Sequence, residues 1–564
     1  RQQDKFTEAE NLYLKVLKSS GEKAPEVNFY IADLYISAGY YEKALVYFEK
    51  ILTISDLFID KKKINRQIEN CKFGIAQTKN PKPLDFINLG SSINSEFHEY
   101  RPILTANEQQ LIFTVTVPLK VPDIRLPDGQ EDFFIAMKED GKWLKRKPLG
   151  VPLNTFDNEG AHTVSLTGKY LYYTACNRPN SYGRCDIYAA KIDENGYSAP
   201  YNIGIPVNTE HWESQPSISP DGNTLYFVSN RPGGLGGKDI WKSTKNATGK
   251  WQEPVNLGAS VNTSADEINP FIHYNGSSLY FSTNGRVGMG EYDLYVAEIT
   301  EMGINEPVNL GFPINTHKSE TDIFITPNGN SAFVSANKPG GFGKIDIWFF
   351  EMPELIKPEP VRLVFVSVFD QLTKQNITGK TNLGIETSTK EKITAEKTTT
   401  SACFTTQANT TFEFSFTAPG YFSLKENWTL KDSLNLLKTE LRYELKPIKE
   451  GDELLLKNVY FETDLHVLKP ESTAELMNLV LFLKENSSVT VEISGHTDNS
   501  GTEKHNLELS KNRAKSVVDF LVANGIKAGQ LKFAGYGSSK PAASNETADG
   551  KALNRRTIMT ILSK

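Results

Sequence analysis

From Phe6 to about Lys79, apolar residues recur at helical spacing. The run Phe29-Tyr30-Ile31-Ala32-Asp33-Leu34-Tyr35 continues through Gly39-Tyr40-Tyr41, Ala44 and Phe48. Small and large residues at that rhythm predict stacked helix pairs. Beyond Leu84 the pattern changes to short alternating runs, which predict strands. An aspartate leading an apolar run returns as Asp132-Phe133-Phe134, Asp186-Ile187-Tyr188, Asp239-Ile240-Trp241, Asp293-Leu294-Tyr295 and Asp346-Ile347-Trp348, at intervals of 54, 53, 54 and 53 residues. Each unit also carries a turn such as Pro220-Asp221-Gly222 and a strand such as Leu225-Tyr226-Phe227-Val228. Several short strands in a period of about fifty residues predict propeller blades, and five units predict five of them.

The ring's closure is also legible. Asn88-Leu89-Gly90 returns as Pro148-Leu149-Gly150, Asn202-Ile203-Gly204, Asn256-Leu257-Gly258 and Asn309-Leu310-Gly311. The last four each follow an aspartate strand, nothing equivalent follows Asp346, and one spare copy precedes the first unit. The strand at 84–90 is therefore expected to complete the fifth blade, which removes two exposed sheet edges at once. Pro353, Pro358 and Pro360 mark a short stiff linker. Val361 to Pro447 alternates as a small β-sandwich, and the remainder alternates strand and helix. Strands are expected at Leu454–Phe461, Val489–Ser494, Leu531–Gly535 and Thr557–Leu562, with helices at Pro470–Lys484 and Lys504–Asn524, a split βαβ-type α/β sandwich. The fold class is thus multidomain: helices over 1–79, an all-β five-bladed propeller over 84–352, a β-sandwich over 361–447 and an α/β domain over 452–564.

Composition changes this picture little. A chain of 564 residues suits several cores, and a formal net charge of −6 without a long Lys/Arg block argues against nucleic acid. No run of eighteen apolar residues is present, so no transmembrane segment is expected. The chain opens at Arg1 in a helical pattern, so upstream residues, with any export signal or lipid anchor, are expected to be missing. Cys176 and Cys185 flank a turn-rich stretch and are placed to bond across a hairpin in an oxidising compartment. Cys71 and Cys403 read as buried apolar residues. No Cys/His cluster has metal-ligand spacing, His98, His211 and His317 recur imperfectly, and no cofactor motif or hydrolase signature is present. The expectation is a protein that is not an enzyme.

Two constellations carry charge in a pattern. The first is a pair repeated in every propeller unit: Asn94/Glu99, Asn154/Glu159, Asn208/Glu213, Asn262/Glu267 and Asn315/Glu320. Either the glutamates ring a channel and take a cation or basic peptide, or each blade uses its own copy structurally; a residue needed in every blade favours the second. The other constellation is single. Gly495-His496-Thr497-Asp498-Asn499-Ser500-Gly501 sets an acid in a tight loop, and Arg513 follows fifteen residues later on a helix. A carboxylate and a guanidinium so placed can hold the ammonium and carboxylate of a small zwitterion.

That loop, with Asn506, Leu509-Ser510, Arg513-Ala514, Gly535-Tyr536-Gly537, Pro541 and Asn554-Arg555-Arg556, resembles the OmpA C-terminal-like family over about 452–564. The resemblance implies peptidoglycan binding, with Asp498 and Arg513 taking the free end of diaminopimelate in the peptide stem. It also carries over Asn506, Thr463 and Asp464 at the end of the first strand, and Arg556, which either lines the pocket or pairs with a strand; His496 is read as structural. The helices are similar to tetratricopeptide repeats, the propeller to the PD40/TolB type, and Ala418-Pro419-Gly420-Tyr421-Phe422 to the carboxypeptidase regulatory-like domain. The whole order resembles the periplasmic, outer-membrane-associated peptidoglycan-binding component of the Bacteroidetes type IX secretion system. It implies outer-membrane or secretion partners held by the helices, the propeller or both. The alternatives are a general OmpA-family envelope-stabilising protein and a TolB-like hub whose propeller captures a peptide.

Overall fold

The computed structural model describes residues 2–20, 26–53, 59–106, 108–119, 129–193, 196–431, 438–462 and 464–564. The chain divides into two compact units. The first contains four helices, α1 (Gln2–Ser20), α2 (Glu26–Ser37), α3 (Tyr41–Leu52) and α4 (Lys61–Lys79). Ile31, Ala32, Ala44, Phe48, Ile64 and Cys71 are buried among them. Gly74 is required where α4 meets the Tyr41 ring, since a Cβ there would lie 2.7 Å from it.

After the helices come five antiparallel sheets of four or five strands. Four begin at Glu159, Glu213, Glu267 and His98 with their longest strands consecutive in sequence, and the fifth runs from Ile323 to Glu351. The fifth takes its last strand from far upstream: Ile87 lies opposite Phe349 and Asn88 opposite Trp348. Hydrogen bonds link the sheets cyclically. His162 Nε2 lies 3.2 Å from Ile112 O, Gln215 N donates to Thr174 Oγ1, and Ile272 N donates to Ser217 Oγ. His273 Nε2 lies 3.0 Å from Thr326 O, and Arg101 N donates to Ser335 Oγ, returning from the fifth sheet to the first.

The repeated polar residues explain how one sheet hands the chain to the next. Asn262 accepts from Ile240 N and donates to Ile240 O, in effect adding a short backbone pairing at the end of the third sheet. Asn94, Asn154, Asn208 and Asn315 do the same for Ile347, Phe133, Ile187 and Leu294. Five residues later a glutamate stands at or near the start of the next sheet, opening it at Glu159, Glu213 and Glu267. Glu213 accepts the N–H and hydroxyl of Thr209, the hydroxyl of Ser229 and the guanidinium of Arg231. Glu99, Glu159, Glu267 and Glu320 are likewise buried and bound to the residue four positions before them. These carboxylates are spent on local partners. Cys176 and Cys185 face each other in the second sheet and are joined by a disulfide, while Cys71 and Cys403 are buried thiols.

The second unit contains a three-stranded antiparallel sheet, Asn382–Thr387, Thr411–Thr417 and Leu424–Thr429, with Phe412, Phe414 and Phe416 buried on one face. It also contains an α/β sheet in the order Glu453–Leu455, Thr557–Ser563, Thr490–Gly495, Leu531–Gly535. The last two strands run parallel and the other pairings are antiparallel. Helices α5 (Thr473–Glu485) and α6 (Glu503–Ala523) bury Leu476, Val480, Leu483, Val517 and Leu521 against Val491, Ile493 and Met559.

Two details of this domain differ from the pattern reading. The first strand ends at Leu455 rather than Phe461, because the chain leaves the sheet and Phe461 pairs with Leu468 in a separate bridge. A further short helix, α7 (Ala548–Asn554), precedes the last strand. A Cβ on its Gly550 would lie 1.8 Å from Ser544 O, so the close approach requires glycine there.

Candidate functional site

The strands Thr490–Gly495 and Leu531–Gly535 run parallel and end side by side under α6. Both end in glycine because α6 lies directly on them. A Cβ on Gly495 would be 2.2 Å from Ser510 O, and one on Gly535 would be 2.4 Å from Lys511 N. The chain then turns through His496, Thr497 and Asp498 into the first turn of α6, where Thr502 caps the helix by accepting from His505 N. Ser500 N donates to Asp498 Oδ1 at 2.9 Å, and the buried Asn506 amide donates to Asp498 O and Gly501 O. Asn506 thus shapes the loop from beneath. Ser510, also buried, accepts from Gly537 N and ties α6 to the next loop.

The partner of Asp498 is not the arginine expected from spacing. Arg555 Nη1 donates to Asp498 Oδ2 at 2.6 Å. Among the described residues Arg513 makes no ion pair; its Nε donates to Leu465 O at 2.9 Å and Nη2 reaches Glu462 O at 3.5 Å. The Arg513 guanidinium also lies over the Phe461 ring, 5.1 Å from its centre. The stretch that leaves the first strand therefore positions Arg513. Asp464 adopts a left-handed backbone, φ 58°, and its carboxylate lies 3.0 Å from His505 Nε2. Arg556 donates to Lys540 O and Asn554 O. Thr463 lies outside the described residues.

These groups surround a cavity of about 840 Å³. Arg513, Arg555, Arg556, Lys457 and Lys469 line it, against Asp464 and Glu471, so cations predominate. Asp498 stands behind Arg555 rather than on the wall. The arrangement suits a ligand that brings carboxylate or other anionic oxygen to the guanidinium groups. Asp464, exposed and lining the cavity, is available to an amine.

The electrostatics follow from burial and pairing. Burial raises the Asp498 pKa, but the bonds from Arg555 and Ser500 outweigh it and hold the carboxyl below its ordinary value. Half-burial pulls the Arg513 pKa down, opposed by Asp464 and Asp498. His496 stacks on Tyr536, and burial, with Arg556 and Lys540 nearby, lowers it to about 4. It is neutral at neutral pH and packs rather than titrates there. Of the expected residues, the cavity brings together Arg513, Arg556 and Asp464; Asn506 supports them, and Asp498 acts through Arg555. Arg555 was in view as part of Asn554-Arg555-Arg556, but nothing in that triplet says which arginine turns inward to Asp498. Among the described residues no cluster of three or more His, Cys, Asp or Glu side chains is arranged to hold a metal ion, and no helix is long and apolar enough to cross a membrane.

The segment that carries this site is similar to known proteins. The OmpA family matches residues 460–555. Outer membrane porin F of Pseudomonas aeruginosa is 42% identical over 100 residues, which cover 18% of this chain and 29% of the porin. Probable lipoprotein YiaD of Escherichia coli is 37% identical over 116 residues, 20% of this chain and 53% of that protein. The peptidoglycan-associated lipoprotein of Buchnera aphidicola is 29% identical over 139 residues, 25% of this chain and 78% of the lipoprotein. This chain thus spans 29% and 53% of the porin and YiaD. The likeness of all three covers no more than a quarter of this chain.

Proposed function

We propose that this protein is a non-enzymatic tether of the cell envelope. Its OmpA-like domain binds peptidoglycan through the diaminopimelate of the peptide stem, and its N-terminal region holds a protein partner. The observation that carries this reading is the convergence of Arg513, Arg555 and Arg556 on one cavity beside the Asp498 loop, the first two and the loop lying in the stretch that matches the OmpA family. The name of the Buchnera relative, a peptidoglycan-associated lipoprotein, supports the same ligand. The outer membrane porin relative supports residence at the outer membrane, on its periplasmic side. The order of helices, five-bladed propeller, β-sandwich and OmpA-like domain supports a type IX secretion assembly as the tethered partner. A ring of five sheets completed by an N-terminal strand is the arrangement such a propeller needs, since closure leaves no edge to aggregate.

Selectivity follows from the cations. The end of a diaminopimelate side chain carries an amine and a carboxylate, whereas a lysine-type stem lacks the carboxylate. Arg513 is then left partly desolvated without its partner, which costs about 2–5 kcal/mol, roughly 30-fold or more in affinity. The test is sedimentation of the full chain with diaminopimelate-type and lysine-type sacculi. Wild type is expected to sediment with the first, and Arg513→Ala and Asp498→Ala to lose at least that factor while the domain stays folded. Equal sedimentation of wild type and both variants would sink the proposal.

A further inference from the structure

From the repeated aspartate of the second and of the fourth sheet to the glutamate that follows, the chain aligns without a gap at an offset of 107 residues: Asp186 with Asp293, Asn202 with Asn309, Asn208 with Asn315 and Glu213 with Glu320. The same offset pairs two apolar loop residues, Tyr182 with Met289 and Ile205 with Phe312. Their surroundings differ completely. Met289 is 1% exposed and Phe312 packs against the helical core, whereas Tyr182 is 52% and Ile205 69% exposed. The fourth sheet's loops are covered by α3 and α4; among the described residues no helix covers the second sheet's.

The covered site shows what kind of surface fits these loops. Tyr41 Oη donates to Met289 O at 3.0 Å, and Arg66 donates to Asn284 O and Arg286 O. Asn70 Oδ1 accepts from Gly288 N, Gln77 Oε1 accepts from Phe312 N, and Lys82 Nζ donates to Leu310 O. On the loop side every one of these contacts is made by backbone. Side chains of α3 and α4, with Lys82 just beyond α4, thus read the loop's main chain while Met289 and Phe312 fill the apolar gap. In the second sheet Tyr182 N and Gly183 N donate to Asp186 as Met289 N and Gly290 N donate to Asp293, so the path beside the aspartate recurs, and so does the apolar pair; the stretch before Tyr182 is one residue longer than that before Met289.

We infer that the loops carrying Tyr182 and Ile205 form a docking surface for an α-helical hairpin of a partner protein, seated as α3 and α4 are seated on Met289 and Phe312. This rests on the reading that the N-terminal region holds a protein. The charge at the site defines the partner further. Exposed Arg184 stands where Glu291 stands in the fourth sheet. Glu291 is close enough to α2 to act on Asp33, a like charge. With Arg184 in its place, a carboxylate on the incoming hairpin is complemented rather than repelled. A tyrosine fits the centre of such a contact, since aromatic residues are enriched there.

Photo-crosslinking in native envelopes tests this, with the full chain carrying benzoylphenylalanine at Tyr182, Ile205, Tyr30 or Val255. Tyr30 reports on the exposed face of α2, and Val255 is an exposed control on the outer strand of the third sheet. Crosslinks from positions 182 and 205 are expected to reach one protein, at peptides lying in two adjacent helices. Arg184→Glu is expected to reduce the yield from position 182 about 10-fold. A yield no higher than at Val255, crosslinks to strands, or crosslinks to a second copy of this chain would overturn the surface. A crosslink from Tyr30 alone overturns it while leaving the tether intact. Sedimentation with sacculi from the same preparation reports separately on the wall site.

Discussion

Carboxylates meet guanidinium groups in two regions of this molecule, and the difference separates scaffold from site. In the third sheet the Glu213 side chain is 0% and that of Arg231 10% exposed; in the OmpA-like domain Asp498 is 11% and Arg555 51% exposed. Glu213 has its oxygens taken by Thr209, Ser229 and Arg231. Asp498 accepts from Ser500 N and Arg555, whose guanidinium lines an open cavity. A buried ion pair that uses all its lone pairs has nothing left to offer a ligand. A half-exposed one keeps donors to give. Number of copies points the same way: the sheets repeat their glutamate five times, whereas the loop of Asp498 occurs once.

The comparison breaks most visibly if a repeated glutamate proves dispensable. Glu213→Ala strands a buried guanidinium and the Thr209 and Ser229 hydroxyls, and is expected to destabilise the sheet region by about 3–5 kcal/mol. Denaturant unfolding followed through Trp212, Trp241 and Trp251 measures it; a loss below about 1 kcal/mol, the scale of a surface pair, would place Glu213 with the exposed pairs. The converse applies to Arg555→Ala. Because that pair is half-exposed, domain stability is expected to change by no more than about 1 kcal/mol, while sacculus binding falls about 10-fold or more as a guanidinium leaves the cavity. A large stability loss with unchanged binding would make Arg555 another scaffold residue.

The smallest expected effect sharpens the acid limb of the same domain. The folded pKa of His496 is about 4, below its ordinary 6.5, so the unfolded chain takes up the proton first as pH falls. Stability from this group is complete above pH 6.5 and declines toward pH 4. Asp498, also depressed from its ordinary 3.8, keeps its contribution above that value and loses it only as pH falls through the still lower folded pKa. The first window lies above the second, so His496→Gln is expected to flatten the decline between pH 6.5 and 4 and to leave the lower one in place. Hydrogen exchange of residues 490–495 reads this domain alone; an unchanged slope would show that His496 does not titrate differently on folding.

Much was legible because it is written locally. The 53–54-residue interval announces units that cannot bury their apolar faces alone, and the spare Asn-Leu-Gly copy points to the strand now seen against Trp348 and Phe349. Apolar periodicity placed α5 and α6 within a few residues of their ends. Where the pattern reading missed, local signals misled for physical reasons. The apolar run to Phe461 reads as one strand although it leaves the sheet to wall the cavity.

By itself, then, the sequence determined which residues repeat, where most of the helices and strands lie, and that the loop of Asp498 leads into the helix of Arg513. Tertiary structure decided the partners. Asp498 pairs with Arg555, fifty-seven residues away, and Arg513 is held by Glu462 and Leu465 carbonyls. Tyr182 and Met289 hold the same place in their repeats, yet one lies open and the other sits beneath Tyr41. Periodicity, caps and turns are set by neighbours along the chain. Which of several equivalent surfaces is covered, and which of two adjacent arginines reaches a carboxylate, depend on groups brought together from distant segments, and no local pattern encodes that.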